Sequence, residues 1–256
     1  MLNICYIVKN SIFKLPKVLD VMSKLSRDII VIDTGSTDGT KEWLKSKDYA
    51  KVYDFEWCDD FSKARNFALS KCDKKFTLMM DDDEVVPVDY HQAVNNFVNN
   101  LGQDKGIDIH FALTFNIYNY LQDPAWVKGP KVLEGTAVRL FETAGAEYHK
   151  KVHERLKLPE KTTNIPSEIP IVHMAYLSAG GVINKMEYYR RLIKEEYDKN
   201  DVLDNLHIAN TFREQFRWTG KKDAANKAIF YLKLANKIKS QKFIIEEIQS
   251  LKKAVA

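Results

Sequence analysis

Four consecutive acidic residues, 81–84 (Asp-Asp-Asp-Glu), directly follow a mostly apolar run at residues 76–80. An apolar run of this length predicts a buried strand. Ionised carboxylates are costly in an apolar interior without a partner, so we expect the strand to end at Asp81 with the acids at its carboxyl end. In open α/β sheets, this is the end of the strands at which ligands bind.

The acidic run has no Lys or Arg close to it in the sequence, so its carboxylates are expected to repel one another unless a cation is present. Mg²⁺ and Mn²⁺ prefer carboxylate oxygens and the phosphates of a ligand. The pattern predicts an Asp-x-Asp metal site that holds a nucleoside diphosphate. A solvated acidic turn after the strand is the alternative, and the run alone favours neither.

Two further residues could contact a nucleotide. Asp33 ends a second apolar run and precedes a turn of small residues at 34–40, so its carboxylate could accept from a base N–H or a ribose hydroxyl. It could equally cap the turn. Arg65 lies in the first turns of a predicted helix, where it could reach phosphate or remain on a solvated face.

Two residues of the second half could complete the site. His173 follows two apolar residues at a predicted strand end, and imidazole could supply a third metal ligand. A structural role is the alternative for a single histidine. Glu154 could act as a general base, or it could be a surface acid paired with Arg155 or a nearby Lys.

Composition limits the class of protein. The chain has 256 residues, a formal net charge of +4 and 45% hydrophobic residues, which suits one large α/β domain with an appendage and gives no argument for nucleic acid binding. Its three cysteines match no zinc spacing. The N-terminus is too short for a signal peptide and no apolar run could span a bilayer. We therefore expect a cytoplasmic protein, either free or peripheral to a membrane.

The order of the predicted elements indicates the fold. Apolar runs at 2–8, 29–32, 51–55 and 76–80 alternate with helical patterns near 14–25, 41–47 and 61–70. This alternation predicts a mostly parallel sheet with crossover helices. The rest of the first 180 residues is mixed, with these further predictions: a helix at 90–101, strands at 107–118 and 136–141, a loop at 121–131, and short strands within 150–158 and 169–173.

From about residue 180 the pattern is entirely helical, with three apolar stripes. We expect Gly180 and Gly181 to form a loop or hinge before these helices. The turn at 220–224 predicts a helical hairpin similar to one tetratricopeptide-like unit, although one unit is not a repeat array.

Taken together, these segments resemble the family 2 glycosyltransferases with the GT-A fold. Five ordered blocks carry the resemblance over about residues 3–90: 6–10 (YIVKN), 31–40 (VIDTGSTDGT), 52–57 (VYDFEW), 60–66 (DFSKARN) and 80–84 (MDDDE). Three shorter blocks extend it more weakly to about residue 177: 139–141 (RLF), 152–154 (VHE) and 172–176 (VHMAY). The helical tail resembles the appended helices of some members only poorly.

The resemblance implies roles for particular residues. It implies that Asp33 binds the base, that Asp81 contacts ribose or metal, and that Asp83 holds Mn²⁺ or Mg²⁺ on the diphosphate, with His173 as a further ligand. The residues expected to bind nucleotide are Val8, Asn10, Asp33, Ser36, Arg65, Asp81 and Asp82. The family often has Ala between the two aspartates, whereas this chain has Asp82. This difference leaves open whether Asp81 or Asp83 is the metal ligand. Glu154 is the expected catalytic base.

The expected protein is thus a metal-dependent inverting glycosyltransferase that uses a nucleotide-sugar, with a UDP-sugar as the expected donor. We expect a GT-A domain at 1–180, with a nucleotide-binding half (1–90) and an acceptor half (91–180), and a helical extension at 181–256 that could form a homo-oligomer. The acceptor could be a glycan, a lipid, a protein or modified nucleic acid. The alternatives are a nucleotidyltransferase acting on sugar phosphates and a non-catalytic nucleotide- or glycan-binding module.

Overall fold

The computed structural model describes residues 1–102, 109–121, 131–175 and 179–255. The chain forms two compact units. We call the first the sheet unit; it contains Met1–Asp123, Lys128–His149 and Glu154–Tyr176. We call the second the helical unit; it contains Pro124–Val127, Lys150–His153 and Leu177–Ala256. The division into functional domains at residue 180 stays a prediction.

The sheet unit contains ten strands and four helices among the described residues. The strands are β1 (Leu2–Val8), β2 (Ile29–Asp33), β3 (Ala50–Asp54), β4 (Phe76–Asp81), β5 (Glu84–Val85), β6 (His110–Leu121), β7 (Lys131–Glu142), β8 (Glu147–His149), β9 (Arg155–Lys157) and β10 (Thr162–Ala175). The helices are α1 (Leu15–Met22), α2 (Thr40–Lys45), α3 (Phe61–Leu69) and α4 (His91–Gly102), the last preceded by a 3₁₀ turn at Val88–Tyr90.

Eight strands form one sheet in the order β3-β2-β1-β4-β7-β6-β10-β5. The first four are parallel, β7 is antiparallel to both of its neighbours, β10 is parallel to β6, and β5 is antiparallel to β10. The predicted α/β class, a mixed and mostly parallel sheet flanked by helices, is confirmed. The expected loop at 121–131 lies largely outside the described residues.

The central strand β1 is apolar on both faces because helices cover both sides of a parallel sheet. Tyr6 and its neighbours on one face pack into a core with α1 and α4, while Cys5 faces a second core that includes Ala68 of α3. α3 begins as predicted, because the side chain of Asp60 accepts a hydrogen bond from the backbone N–H of Lys63 and so caps the helix.

A β-bulge in β7 positions a basic side chain. Leu140 pairs with Leu113 and Val138 pairs with Thr114, so Arg139 is an extra residue between two consecutive pairs. Bulges of this kind re-aim one side chain at the edge of a functional site. The bulge lies where the pairing of β7 with β4 also ends, since the last pair is Leu78 with Leu140.

The helical unit contains four helices in the described part of the chain: α5 (Ala179–Glu195), α6 (Val202–Thr219), α7 (Lys222–Ile238) and α8 (Lys242–Val255). Each packs on the next. Two expectations were wrong here. Gly180 and Gly181 lie inside α5, so they form no loop or hinge, and a fourth helix, α8, follows the three predicted stripes. α6 does end as expected at Gly220, whose φ of 66° suits glycine.

Four residues between β8 and β9, Lys150–His153, belong to the helical unit. Lys150 Nζ donates to the backbone oxygen of Glu196 at 3.0 Å, and the ring of His153 stacks on that of His207 with centroids 4.0 Å apart. Lys150 and His153 both have positive φ angles, 75° and 55°. The segment therefore begins and ends with residues in a conformation that side chains other than Gly and Asn disfavour.

Among the described helices, none is both long and apolar enough to cross a lipid bilayer.

Candidate functional site

Asp33 closes β2, where its side chain is almost fully buried. Oδ1 accepts hydrogen bonds from the backbone N–H groups of Gly35 (2.9 Å) and Ser36 (2.8 Å). Oδ2 is buried and has no hydrogen-bond partner among the described residues. One oxygen thus caps the turn, which is the second of the two alternatives from the sequence, and the predicted contact of Asp33 with a ligand stays a prediction. A buried carboxylate oxygen without a donor is unfavourable, and a ligand N–H would relieve it.

Asn10 and Ser36 hold the two loops beside Asp33 together. The backbone N–H of Asn10 donates to Ser36 Oγ at 2.9 Å, and Asn10 Oδ1 accepts from the backbone N–H of Thr37 at 2.8 Å. The backbone oxygen of Val8, at the end of β1, accepts from the backbone N–H of Thr34. The structure therefore places Val8, Asn10, Asp33 and Ser36 in one loop cluster, in which Asn10 and Ser36 shape the loops.

Asp81, at the end of β4, lies between two guanidinium groups. Arg65 Nη2 donates to Asp81 Oδ1 at 2.8 Å, and Arg139 Nη2 lies 3.3 Å from Asp81 Oδ2. Arg139 also donates to the buried carboxylate of Glu84 at 2.5 Å, while the backbone N–H of Asp81 donates to the other oxygen of Glu84. Glu84 is thus buried in β5, whereas we expected all four acids to emerge from the sheet.

Glu154 joins the same network. Its Oε1 accepts from Arg65 Nε at 2.8 Å, so one guanidinium holds both Glu154 and Asp81. Arg65 also lies over the ring of Tyr148 at 5.5 Å, and its Nη1 is buried without a partner among the described residues. The predicted base and the predicted nucleotide contacts Arg65 and Asp81 therefore lie together, although they are far apart in the sequence. Glu154 was predicted to pair with Arg155 or a nearby Lys if it was a surface acid. In the structure its partner is Arg65 instead.

Asp82 and Asp83 contact Lys14, the residue that immediately precedes α1. Lys14 Nζ lies 2.6 Å from Asp82 Oδ1 and 3.4 Å from Asp83 Oδ2, and the hydroxyl of Ser11 donates to Asp82 Oδ2. Burial raises the pKa of Asp82, and the contacts with Lys14 and Ser11 only partly oppose this shift. Both carboxylate oxygens of Asp82 are therefore already bound by side chains of the protein, and its predicted contact with nucleotide stays a prediction.

Asp83 faces His173 of β10. Nε2 of His173 lies 3.0 Å from Asp83 Oδ1, and Nδ1 lies 2.7 Å from Asn119 Oδ1, an oxygen that can only accept. Nδ1 therefore carries a proton, and Nε2 is the nitrogen that faces the carboxylate. Burial is the largest single influence on His173 and lowers its pKa, but the hydrogen bond to Asp83 and the negative charges of Asp83, Glu84 and Asp81 together raise the pKa above its usual value.

The charges of the cluster leave room for a cation. The five carboxylates of Asp81, Asp82, Asp83, Glu84 and Glu154 meet three basic side chains, Lys14, Arg65 and Arg139. With His173 in the neutral form that a metal ligand requires, two formal negative charges remain, whereas one remains when His173 is protonated. The expectation that no Lys or Arg lies near the acids was wrong, because residues distant in the sequence supply three of them.

The donor set fits a divalent ion that is shared with a ligand. Asp83 Oδ1 and His173 Nε2 are close enough to bind one cation, and His173 donates its other N–H to an oxygen, as metal-binding histidines usually do. The described residues contain no group of three or more His, Cys, Asp or Glu side chains placed to hold a metal. Ligand phosphates and water would have to supply the remaining positions, which is how Mg²⁺ is commonly held.

The sequence analysis missed Lys14, Ser11 and Glu84 as members of this site, and it treated Arg139 only as part of a resemblance block. Arg139 carried a usable signal, because an arginine within an apolar strand is almost never buried without a partner. Lys14 and Ser11 carried none, since nothing in a polar loop before a helix indicates which acid it will meet.

Residues 7–109 match the family model described as glycosyl transferase family 2. The match includes Asn10, Asp33, Arg65, Asp81 and Asp83, and it ends before Arg139, Glu154 and His173. It thus covers the strands whose carboxyl ends carry the nucleotide-binding candidates.

Among curated proteins, a TPR repeat-containing protein of Synechococcus elongatus is 35% identical over 82 residues. That segment is 32% of this chain and 20% of the relative, so the chain corresponds to about a fifth of that protein.

Among solved structures, S. aureus TarS covers 99% of this chain and 55% of its own, with 12% identity and a TM-score of 0.47. The structure of S. aureus TarS 1–349 in complex with UDP-GlcNAc covers 99% of this chain and 90% of its own, with 13% identity and a TM-score of 0.44. Glucosyl-3-phosphoglycerate synthase from Mycobacterium tuberculosis, in complex with Mn²⁺ and UDP-glucose, covers 48% of this chain and 44% of its own, with 19% identity and a TM-score of 0.34. These similarities are too distant to assign a ligand or a function to this chain.

Proposed function

We propose that this protein transfers a sugar from a nucleotide-sugar, with a UDP-sugar as the donor, to a hydroxyl group of an acceptor. The observation that carries the proposal is the position of Asp33, Asp81 and Asp83 at the carboxyl ends of β2 and β4, inside the segment that matches glycosyl transferase family 2. Both strands pair with β1 in parallel, so these ends lie at one edge of the sheet.

The nucleotide would bind through groups that the fold leaves available. Asp33 Oδ2 would accept an N–H of the base, which supplies the donor that this buried oxygen lacks. Asp81 would contact the ribose or the metal, and its two arginine partners hold it in place. The buried Nη1 of Arg65 would donate to the ligand. Asn10 and Ser36 would keep the loops in the conformation that binds the nucleotide.

Asp83 and His173 would hold Mn²⁺ or Mg²⁺ on the diphosphate. When bound, the ion would supply Lewis-acid stabilisation of the negative charge that develops on the departing nucleoside diphosphate. The two uncompensated negative charges of the cluster match the charge of one divalent ion. Lys14 lies beside Asp82 and Asp83 and would help to neutralise the negative charge of the diphosphate.

The transfer would be a direct displacement with inversion at the anomeric carbon. The acceptor oxygen forms a bond to that carbon, the bond to the diphosphate breaks, and Glu154 takes the proton of the acceptor hydroxyl. Arg65 orients Glu154 through Oε1, and no described residue donates a hydrogen bond to Oε2, which leaves that oxygen to receive the proton.

Donor turnover tests the proposal. The full chain is incubated with Mn²⁺ and a panel of nucleotide-sugars, and released nucleoside diphosphate and pyrophosphate are measured separately. Release of UDP from one UDP-sugar, abolished in Asp83→Asn and retained in Asp89→Asn, would support it. Asp89 is a suitable control because it is an exposed acid outside the cluster. Release of pyrophosphate would indicate a nucleotidyltransferase, and binding without turnover of any donor would indicate a binding module.

A further inference from the structure

Three helices of the helical unit, α5, α6 and α7, form a cleft of about 510 Å³. Its walls carry three basic side chains, Arg190, Lys194 and Lys227, and three aromatic rings, Phe212, Phe230 and Tyr231. The volume is within the range of sites for small molecules. No sequence motif and no comparison assigns a role to this cleft.

Arg190 is the most enclosed of the three cations, and its partners are uncharged. Nε donates to Thr211 Oγ1 at 3.1 Å, Nη2 donates to Gln215 Oε1 at 3.0 Å, and the guanidinium carbon lies 3.8 Å from the centroid of Phe212. Burial lowers the pKa of Arg190, and the negative charge of Glu187, one turn earlier in α5, opposes this shift only in part. A bound anion would compensate this charge.

The other two cations are only weakly compensated. Lys194 forms no ion pair with any described residue. Lys227 Nζ lies 2.6 Å from Asp223 Oδ2, but both side chains are largely exposed, and exposed pairs of this kind contribute little. The cleft therefore has an excess of positive charge, carried by two of its three helices, α5 and α7.

This excess belongs to a wider asymmetry in the chain. Residues 177–256 contain 16 Lys and Arg against 10 Asp and Glu, whereas residues 1–176 contain 23 against 25. The small net charge of the whole chain thus hides a basic C-terminal segment. Such an excess raises the local concentration of anionic ligands.

One wall of the cleft is apolar and exposed. Phe230 is 57% exposed, and it lies on the same side of α7 as Asn226 and Lys227, which are four and three positions before it, respectively. Its ring packs edge-on against Tyr231, with centroids 5.2 Å apart. A flat apolar surface beside cations and an amide suits a sugar ring, whose C–H face is apolar and whose hydroxyls form hydrogen bonds.

We propose that this cleft binds a sugar phosphate. Arg190, Lys194 and Lys227 hold the phosphate, for which Arg offers paired donors and Lys a compact charge. Phe230 packs against the sugar ring and Asn226 hydrogen-bonds to a hydroxyl. That the ligand is part of the acceptor, a phosphorylated glycan, rests on the proposed function, whereas the binding itself does not.

Single-stranded nucleic acid also combines phosphate with rings that stack on aromatic side chains. Two features favour the sugar phosphate. Arg190 already covers one face of Phe212, and Tyr231 stacks against the same residue, with centroids 6.0 Å apart, so few free aromatic faces remain for consecutive bases. The cleft also has the volume of a single small ligand, and a strand of several nucleotides needs a longer groove.

Nuclear magnetic resonance on the full, isotope-labelled chain tests this proposal. Glucose 6-phosphate is titrated to millimolar concentration, with glucose, inorganic phosphate and an oligothymidine as parallel arms. We expect glucose 6-phosphate to shift the signals of Lys194, Asn226, Lys227 and Phe230, inorganic phosphate to shift the Lys signals less, and glucose to shift none. The absence of shifts in the cleft with glucose 6-phosphate, or tighter binding of the oligothymidine there, would overturn the proposal.

Charge reversal sharpens the test. The pair Lys194→Glu with Lys227→Glu should weaken glucose 6-phosphate binding at least about tenfold, because both changes place an anion beside the phosphate. Lys233→Glu is the matched control, since Lys233 is an exposed lysine of α7 outside the cleft, and it should change the affinity by less than about twofold. Equal weakening in the control would mean that the effect is only general charge, and the proposal would fall.

UDP binding is measured on the same samples and separates the two proposals. The proposed UDP contacts are residues of the sheet unit, so we expect UDP binding to be unchanged in both the double variant and the Lys233→Glu control. Binding of UDP without binding of glucose 6-phosphate would overturn the cleft and leave the proposed function in place. Binding of glucose 6-phosphate without UDP would do the reverse.

Discussion

The acidic cluster of the sheet unit and the basic cleft of the helical unit treat charge in opposite ways. In the cluster, every carboxylate has a basic or histidine partner, and Asp81 lies between Arg65 and Arg139. In the cleft, Arg190 has only uncharged partners. The cluster is thus organised before any ligand arrives, whereas the cleft keeps its positive charge available.

This difference predicts how each region responds to change. Removing one member of a buried, paired network leaves another charge without its partner, which costs about 3–5 kcal/mol. Removing an exposed lysine of the cleft costs little stability and affects only a ligand. Substitutions in the cluster should therefore have large effects on turnover or stability, and substitutions in the cleft should be nearly silent until an anionic ligand is added.

The largest effect is expected for Asp83→Asn, which should lower donor turnover by about 1,000-fold or more. Asn keeps the shape of the side chain but removes the negative charge that faces His173 and Lys14. Turnover and Mn²⁺ dependence are measured on purified protein, with Asp89→Asn as the control. Near-normal activity with unchanged metal dependence would remove Asp83 from the metal site.

Glu154→Gln should lower kcat by about 100-fold with little change in donor affinity, because the amide cannot take the acceptor proton. The amide oxygen can still accept from Arg65 Nε, so the link to Asp81 should survive. Steady-state kinetics over a range of acceptor and donor concentrations provide the check, with the exposed Glu160→Gln as control. A variant with wild-type kcat would move the search for the base to Glu134, Glu142 or Glu147.

Asp33→Asn should raise KM for the donor by about tenfold and leave kcat nearly unchanged, because a contact to the base is equal in the ground and transition states. The amide oxygen can replace Oδ1 as the cap of Gly35 and Ser36, while the amide nitrogen takes the place of the unpaired acceptor Oδ2. Kinetics and calorimetric UDP binding are compared with the thermal stability of the variant. A selective fall in kcat would mean that Asp33 has a chemical role.

The smallest effect is expected for Lys14→Met. Loss of the ammonium group beside Asp82 and Asp83 should tighten Mn²⁺ binding a few-fold in the absence of nucleotide and weaken UDP binding, since the diphosphate loses a cation. Calorimetry with Mn²⁺ alone and with UDP measures both effects, and Lys17→Met on the exposed side of α1 is the control. Weaker binding of Mn²⁺ alone would contradict the view that Lys14 and the cation share these carboxylates.

Local patterns were enough to predict the first half of the sheet. The apolar runs of β1, β2 and β4, the helical pattern of α3 and the turn after Asp33 all depend on residues that are near each other in sequence. Residue propensities and the hydrophobic pattern therefore predict these strands, the helix and the turn directly. The location of Asp33 and Asp81 at strand ends follows from the same patterns.

The rest depended on contacts between distant residues. The bulge at Arg139 arises from pairing with both β4 and β6, and a single strand pattern contains no trace of it. Arg65 meets Glu154 across 89 positions of sequence. Gly180 and Gly181 lie in the first turn of α5, which begins at Ala179, although a glycine pair is more typical of a loop. The residues predicted to bind nucleotide and metal stay predictions.

The segment Lys150–His153 also limits how this protein can be recombined. The sheet unit and the helical unit are not consecutive blocks of sequence, because these four residues leave one hairpin of the sheet unit to make their contacts in the other. A chimera joined once, near residue 177, would exchange the helices and leave Lys150 without Glu196 and Asp204, and His153 without the ring of His207. A foreign helical unit would therefore need its own version of this loop. A single crossover near residue 177 would therefore separate Lys150–His153 from the helices of their own unit.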